Sequence, residues 1–526
     1  MVRTLVHVVR LSRAARVLAR HGGLISAEQL RDAPLPARLG VKLLGAGPKP
    51  KEAEGTTSLS AVSEALAQLG PSWIKLGQFL ATRPDIVGFE RAEQLAELQD
   101  RLPPFSQAEA EEQIAQSLGR PVNELFAELG PPVAAASIAQ VHKARTPDGR
   151  MVAVKVLRPG VQKRFQQDLE SFYFAARMAE RFLPATRRLK PVEVVDTLAH
   201  SVRLEMDLRM EAAAMSEMAE NMREDKEVHI PRVDWERTSE RVLTTEWVDG
   251  APLADVAALR RAGHDPERLA DVLVQTFLKQ LLRDGFFHAD MHPGNLFVDA
   301  EGRLVLVDFG ITGRLSPYER RVWAEILYCF IKHDYKRNAE VHFEAGYVPP
   351  HQNMDEFAQA LRAIGEPVLG RPAEEVSMGE LLGRLFRTTE RFDMATQPQL
   401  LMMQKTMVTV EGVGRALNPK LDVWAAAEPV VTEWIRRHLG PVGRAEQAMT
   451  QTGRALARLP ELLESAADAT RRLAAEQRRK ELETSCARAE GKVPEAARPD
   501  RSDWRVWLPL WLAAGALVAL AASLWK

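Results

Sequence analysis

Apolar positions along the chain change their period several times, and each change marks an element. From about Leu59 to Gln99 they recur at helical spacing, interrupted at "TRPD", where a proline stops the helix. From Pro131 the pattern turns to strands. "ASIAQVHKA" and "MVAVKVL" are apolar-rich runs joined by "TPDG", a combination that predicts a β-hairpin. Helical spacing returns from Val161 to about Met222, short strands follow through "RVLTTEWVDG", and helices dominate beyond Leu253. A second hairpin interrupts them, "NLFVDAEGRLVLVDFG", with "DAEG" as its turn.

The two ends of the chain differ from this body. "VWLPLWLAAGALVALAASLW", Val506 to Trp525, carries no charge over about the 20 residues that a helix needs to cross a bilayer. Tryptophans near its ends and flanking Arg501, Arg505 and Lys526 fit a C-terminal transmembrane anchor. Residues 444–501 are charged and alanine-rich and read as a linker or exposed helix. The N-terminal stretch carries arginines at 3, 10, 13, 16 and 20 without a long apolar run, so it is no secretory signal. A basic helix on an anionic membrane surface and a solvated or domain-packed helix both fit it.

Composition narrows the function classes. The 526 residues are 46% apolar, enough for a buried core in two to four domains. Lys and Arg number 70 against 71 Asp and Glu, so no global field points to nucleic acid as a partner. Cys329 and Cys486 stand alone, which argues against a disulfide framework or a zinc site and for a reducing compartment.

The candidate chemistry lies around "FFHADMHPGN", Phe286 to Asn295. Asp, Gly, Pro and Asn are also turn residues, so this segment alone does not decide between a turn and a ligand loop. Asp308 in "VDFG" changes the picture. Asn295 follows Asp290 by five positions and Asp308 follows it by eighteen, the spacing of a kinase catalytic Asp, its metal-binding Asn and the Asp of the D-F-G segment. Magnesium bound to nucleotide phosphates needs hard oxygen ligands, and Asn295 and Asp308 supply them from the two ends of one hairpin. A kinase fold also requires a strand lysine, which "VAVK" provides as Lys155, and a helical acid to pair with it, for which Glu211 is best placed.

With these residues in hand, the chain resembles the UbiB/AarF/ADCK atypical kinases, a family associated with ubiquinone biosynthesis. The similarity spans roughly Leu59 to Leu421 and includes "KLGQ" (Lys75 to Gln78), "PVAAASIAQVHKA" (Pro132 to Ala144) and "EMD" (Glu205 to Asp207). It implies an α+β, bilobal protein-kinase-like fold with a helical N-terminal extension, to which the C-terminal transmembrane helix adds. The implied division is a basic helical segment at 1–50, the extension at 51–130, a small lobe with a helical insertion at 131–252, a helical large lobe at 253–440, a linker at 441–503 and the anchor at 504–526. ATP and Mg2+ are the implied cofactors. Ala134, Ala135, Ala136, Ser137, Val141, Lys155, Glu246 and Val248 would line the nucleotide pocket, Asn295 and Asp308 would bind metal, and Asp290 would orient the nucleophile. Lys75 would meet Glu205 and Asp207 near the phosphates, obstructing a protein substrate.

The alanine-rich loop carries Cβ atoms where ordinary kinases use glycine, so it should cradle a nucleotide differently. Ala289 replaces the arginine of many kinases, and "HADMHPGN" is closer to small-molecule phosphotransferases such as the aminoglycoside kinases. His288 is expected to bond backbone near the loop. The implied function is an atypical kinase-like ATPase that handles polyprenylated phenol intermediates of ubiquinone biosynthesis, at the inner membrane with its kinase-like domain in the cytoplasm. Its expected partners are the lipid bilayer, polyprenylated quinone precursors and other proteins of the pathway. A lipid or small-molecule kinase and a nucleotide-binding pseudokinase scaffold are the alternatives.

Overall fold

The computed structural model describes residues 2–20, 59–81, 102–182, 190–367, 391–394 and 398–440, with single positions at 87, 95 and 388 and a few between 471 and 482. The chain divides into two units, Met1–Ile435 and Arg436–Lys526. The first unit contains every element that builds the site.

It opens with α1 (Val2–Arg20), α2 (Leu59–Leu69) and α3 (Pro71–Ala81). α4 (Gln107–Leu118) starts at a capping box, in which Ser106 and Glu109 satisfy each other's backbone donors, and ends on Gly119 in the left-handed conformation. Then come β1 (Glu128–Ala135), β2 (Ala139–Arg145), β3 (Met151–Leu157), α5 (Val161–Phe182), α6 (Pro191–Glu205), α7 (Leu208–Asn221), β4 (Val228–His229) and β5 (Val242–Glu246). β1, β2, β3 and β5 form one antiparallel sheet in that order, with the expected "TPDG" hairpin as β2–β3.

Strand alternation gives this sheet two different faces. On β3, Val152, Val154 and Val156 are buried beneath α4 with Ile114, Leu125 and Phe126. Lys155 points the other way. On that side α3, α5 and α6 enclose a second core around Phe165, Phe172, Leu198 and Val202, with Trp73, Leu76 and Phe79 packed against it. α1 lies on α5, where His7 Nδ1 is 3.1 Å from Ser171 Oγ and Arg10 donates to Gln167 at 2.7 Å. Of the two uses open to the N-terminal helix, the structure displays packing on a domain.

The second lobe comprises β6 (Gly250–Pro252), α8 (Pro266–Leu278), a π-helical turn (Lys279–Asp284), β7 (Phe286–His288), β8 (Leu296–Asp299), β9 (Leu304–Leu306), β10 (Thr312–Arg314), α9 (Pro317–Ile331), α10 (Tyr335–Glu344), α11 (Met354–Gly365), α12 (Pro398–Leu417) and α13 (Val423–Leu439). The expected second hairpin is β8–β9, flanked by β6 and β4 in a small sheet of order β4-β9-β8-β6. β7 pairs with β10, and α12 packs along α8 and against β10. The bilobal kinase-like architecture is present.

The C-terminal transmembrane helix needs correction. Among the described residues no helix is long and apolar enough to cross a membrane, and 504–526, where the span was placed, lies outside them. α5 and α11 are amphipathic, with charged or polar residues on the face away from the core. The described residues therefore support no membrane span, and the inner-membrane localisation that rested on one is not supported either.

Ile114 is fully buried between α4 and the sheet that carries Lys155. Ile114→Ala should destabilise the protein by about 2–5 kcal/mol, read as a lower urea midpoint; an unchanged midpoint would show that α4 is not part of the cooperative core.

Candidate active site

Lys155 is the centre of the site. Its ammonium donates to Glu211 Oε1 at 2.8 Å, to Glu211 Oε2 at 3.0 Å and to Asp308 Oδ1 at 2.9 Å. Three elements far apart in sequence meet here: β3, the first turn of α7, and the segment after β9. Asp207 starts α7 by accepting from Arg209 N, which places Glu211 one turn into the helix on its buried side.

Two carboxylates around one ammonium set the electrostatics. Burial opposes the Lys155 charge, but Asp308 and Glu211 outweigh it and hold the lysine above its ordinary pKa. Burial, with Asp308 adding to it, pushes Glu211 up to about 7 against the pull of Lys155. Burial opposes the Asp308 charge, but Lys155 outweighs it and holds its carboxyl below the usual range. Lys75 adds to that pull.

Asp308 has φ of 62°, in the left-handed region that non-glycine residues rarely occupy. The buried Phe309 beside it anchors this turn. The β8–β9 register brings Asn295 to the same place, since Leu296 pairs with Leu306 and Val307 N donates to Asn295 O at 3.0 Å. Asn295 Nδ2 donates to Asp290 O at 3.0 Å, which commits the nitrogen and leaves the amide oxygen for a ligand. Asp308 and Asn295 together match the sparse protein contribution typical of a magnesium–phosphate site. Among the described residues there is no cluster of three or more His, Cys, Asp or Glu that would make a self-sufficient metal cage.

His288 is fully buried, and burial lowers its pKa. Its Nδ1 accepts from Asp290 N at 3.1 Å, so the proton sits on Nε2, which faces Val307 O at 3.1 Å. The expectation of a backbone-bonding histidine holds. His292 caps the following turn by accepting from Gly294 N. Among the described residues no side chain bonds to the Asp290 carboxylate.

The remaining expected residues divide into two groups. Val141 stands directly across from Lys155 in the β2–β3 register, and Ala134 and Ala135 belong to β1, opposite Val141 and Gln140. Ala136 closes the β1–β2 turn, its N donating to Ala139 O at 2.8 Å. Ser137 is fully buried, so its hydroxyl does not face an open cleft. Glu246 ends β5 opposite Val152, and its carboxylate turns to Arg232 N and His229, away from Lys155; Val248 follows, half-buried. Lys75 pairs with Glu205 at 2.7 Å, but Asp207 is taken by Arg209 in a two-pronged contact at 2.8 and 2.7 Å.

Sequence reasoning missed Arg158. Its guanidinium donates to Ala136 O and Pro103 O, fastening the alanine-rich turn to the segment before α4. An arginine three residues after Lys155 has no spacing signature of its own; only the fold gives it this use.

A two-lobed fold with a strand lysine, a helical glutamate and a D-F-G aspartate in one cluster defines an atypical kinase-like protein. The ABC1 atypical kinase-like domain model matches residues 97–342 and the UbiB helical domain model matches 361–422. "Probable protein kinase UbiB" of Marinobacter nauticus is 43% identical over 427 residues, 80% of this chain and 77% of that one. The protein of the same name from Azotobacter vinelandii is 40% identical over 403 residues, 76% of this chain and 74% of that one. The chain belongs to the UbiB family of ABC1 atypical kinase-like proteins. A solved complex of Rv3197 with erythromycin from Mycobacterium tuberculosis aligns with TM-score 0.51 at 23% identity, covering 70% of this chain and 96% of that one. At that identity the likeness concerns the fold alone.

Because Glu211 binds its proton more tightly folded (about 7) than at its ordinary 4.5, its contribution to stability is full below about 4.5 and is lost as pH rises through about 7. Urea unfolding from about pH 5 to about pH 8 should therefore show wild type losing stability relative to Glu211→Gln. A constant difference across that range would mean that Glu211 is ionised throughout.

Proposed function

We infer that this chain is a Mg-ATP-dependent atypical kinase-like ATPase that supports ubiquinone biosynthesis by handling polyprenylated phenol intermediates. The observation that carries this is Lys155 held at 2.8–3.0 Å between Glu211 and Asp308. Such a lysine is oriented by one carboxylate and lies beside the other, which suits it to receive nucleotide phosphates. When bound, magnesium would neutralise phosphate charge, with Asp308 and the Asn295 amide oxygen as its protein ligands. Val141, Ala134 and Ala135 would lie along the nucleotide, and Glu246 and Val248 at the junction between lobes. Asp290, with its backbone tied and its carboxylate unengaged, would orient a water or hydroxyl. Lys75, paired to Glu205, would restrict the cleft to small nucleophiles.

The unengaged Asp290 carboxylate also favours a second reading, phosphorylation of a prenylphenol-like hydroxyl. Other proteins of the pathway would be its partners in either case.

Asp308→Asn should lower ATP turnover by about 10²- to 10³-fold, while the folded protein keeps its far-ultraviolet spectrum. Incubating wild type with labelled ATP and a short-chain prenylphenol separates the two activities: free phosphate alone means an ATPase, and a labelled phenol means a kinase. In a deletion strain, quinone restored equally by wild type and Asp308→Asn would instead reveal a scaffold and refute both.

A further inference from the structure

Two of the helices that follow the kinase-like domain each return one buried side chain to the backbone leading into the catalytic loop. Thr406 on α12, 1% exposed, places its Oγ1 2.9 Å from Ala289 O. Trp434 on α13 donates its Nε1–H to Leu282 O at 2.7 Å, in the π-helical turn before β7. That turn is itself tied to the loop, because Gln280 Oε1 accepts from His288 N at 3.0 Å.

The Thr406 contact falls on one particular peptide. Ala289 C=O and Asp290 N–H belong to the same planar unit, so fixing its two ends fixes its orientation. Thr406 holds the oxygen and His288 Nδ1 holds the N–H at 3.1 Å. The next peptide is held by Asn295 Nδ2 at Asp290 O, at 3.0 Å. Both planes flanking Asp290 are thus clamped by side chains, and the direction of its carboxylate follows from them. His288 and Asn295 come from the loop's own segment; Thr406 alone comes from the region matched by the UbiB helical domain.

The hydroxyl has one proton and two carbonyls within reach, Ala289 O and Met402 O, both at 2.9 Å. Met402 O stands four residues earlier in the same helix and already receives the helix's own N–H. Ala289 is 3% exposed, its carbonyl is shielded from water, and its N–H is spent on Ile311 O at 3.1 Å. The proton is therefore needed more at Ala289.

We propose that Thr406 is a positioning residue for Asp290, through which the helical domain sets the turnover rate of the site without contributing to nucleotide affinity. Small shifts of α12 along α8 would turn the Ala289–Asp290 peptide, which gives anything that binds the helical domain a lever on the chemistry. The proposal rests on the phosphotransfer function inferred above.

Its test compares Thr406→Val, which keeps the shape and removes the donor, with Thr406→Ser, which keeps the donor. Thr406→Val should lower kcat for ATP turnover by about 10- to 100-fold with KM for MgATP changed less than about twofold. Thr406→Ser should stay within about threefold of wild type. Amide hydrogen exchange over residues 286–295 should accelerate in the valine variant and not in the serine one. Equal kcat in both variants, or a loss shared equally between kcat and KM, overturns the proposal. If wild type turns over no ATP, the function inferred above fails, and exchange decides alone: unchanged rates in Thr406→Val overturn the clamp. Should the valine variant not fold, Thr406→Cys, a weak donor, is expected between serine and valine in exchange rate, and a cysteine variant equal to wild type overturns the clamp as well.

Discussion

One ammonium serving two carboxylates is the constraint on which the rest of the site depends. Lys155, Glu211 and Asp308 come from a strand, a helix and the segment after a distant hairpin, and none of these elements has a local reason to approach the others. What brings them together is apolar. Val152, Val154 and Val156 fasten β3 to α4 and thereby commit Lys155 to the opposite face. Phe309, buried next to Asp308, fixes the far side and supports a backbone conformation that aspartate would not hold unaided. The polar cluster alone adds little net stability, since a desolvated ammonium with an excess of negative charge costs much of what the contacts return. Its value lies in orientation, and in a surplus of negative charge waiting for a cation.

The catalytic loop solves a related problem with backbone. Its peptides are short of regular secondary structure, yet Ala289 O, Asp290 N and Asp290 O each have a side-chain partner, through Thr406, His288 and Asn295. A buried loop without such partners would leave donors and acceptors unpaired at considerable cost. Side chains that satisfy backbone therefore do two things at once here. They make the loop tolerable in a buried setting, and they leave the Asp290 carboxylate free of internal bonds.

Much of this was legible from residue order. The hairpins announced themselves through "TPDG" and "DAEG", and the Asp290, Asn295 and Asp308 spacing located the second lobe because a hairpin of fixed length separates the last two. Lys155 and Glu211 followed from what a kinase fold requires once that spacing stood out, a strand lysine in "VAVK" and a helical acid to pair with it. What stayed hidden depends on long-range packing. Nothing in "VAVKVLRP" distinguishes Arg158 from a surface arginine, and nothing in "QKTMVTV" marks Thr406, because both act on carbonyls more than 20 positions away. Ser137 looked like part of a phosphate loop by its neighbours, and burial removed it from the open face. Asp207 looked like a partner for Lys75, but an aspartate at a helix start is claimed by the helix first.

The Lys75–Glu205 pair ties α3 of the helical extension to the end of α6. Its side chains are 12% and 10% exposed, so a group that replaces either partner must supply a compensating charge. α3 is also packed into the same core as α5 and α6 through Trp73, Leu76 and Phe79, so moving Lys75 aside would mean exposing apolar surface as well as a charge. The helical extension is thus held to α5 and α6 by an apolar core as well as by an ion pair, and the position of Lys75 follows from both.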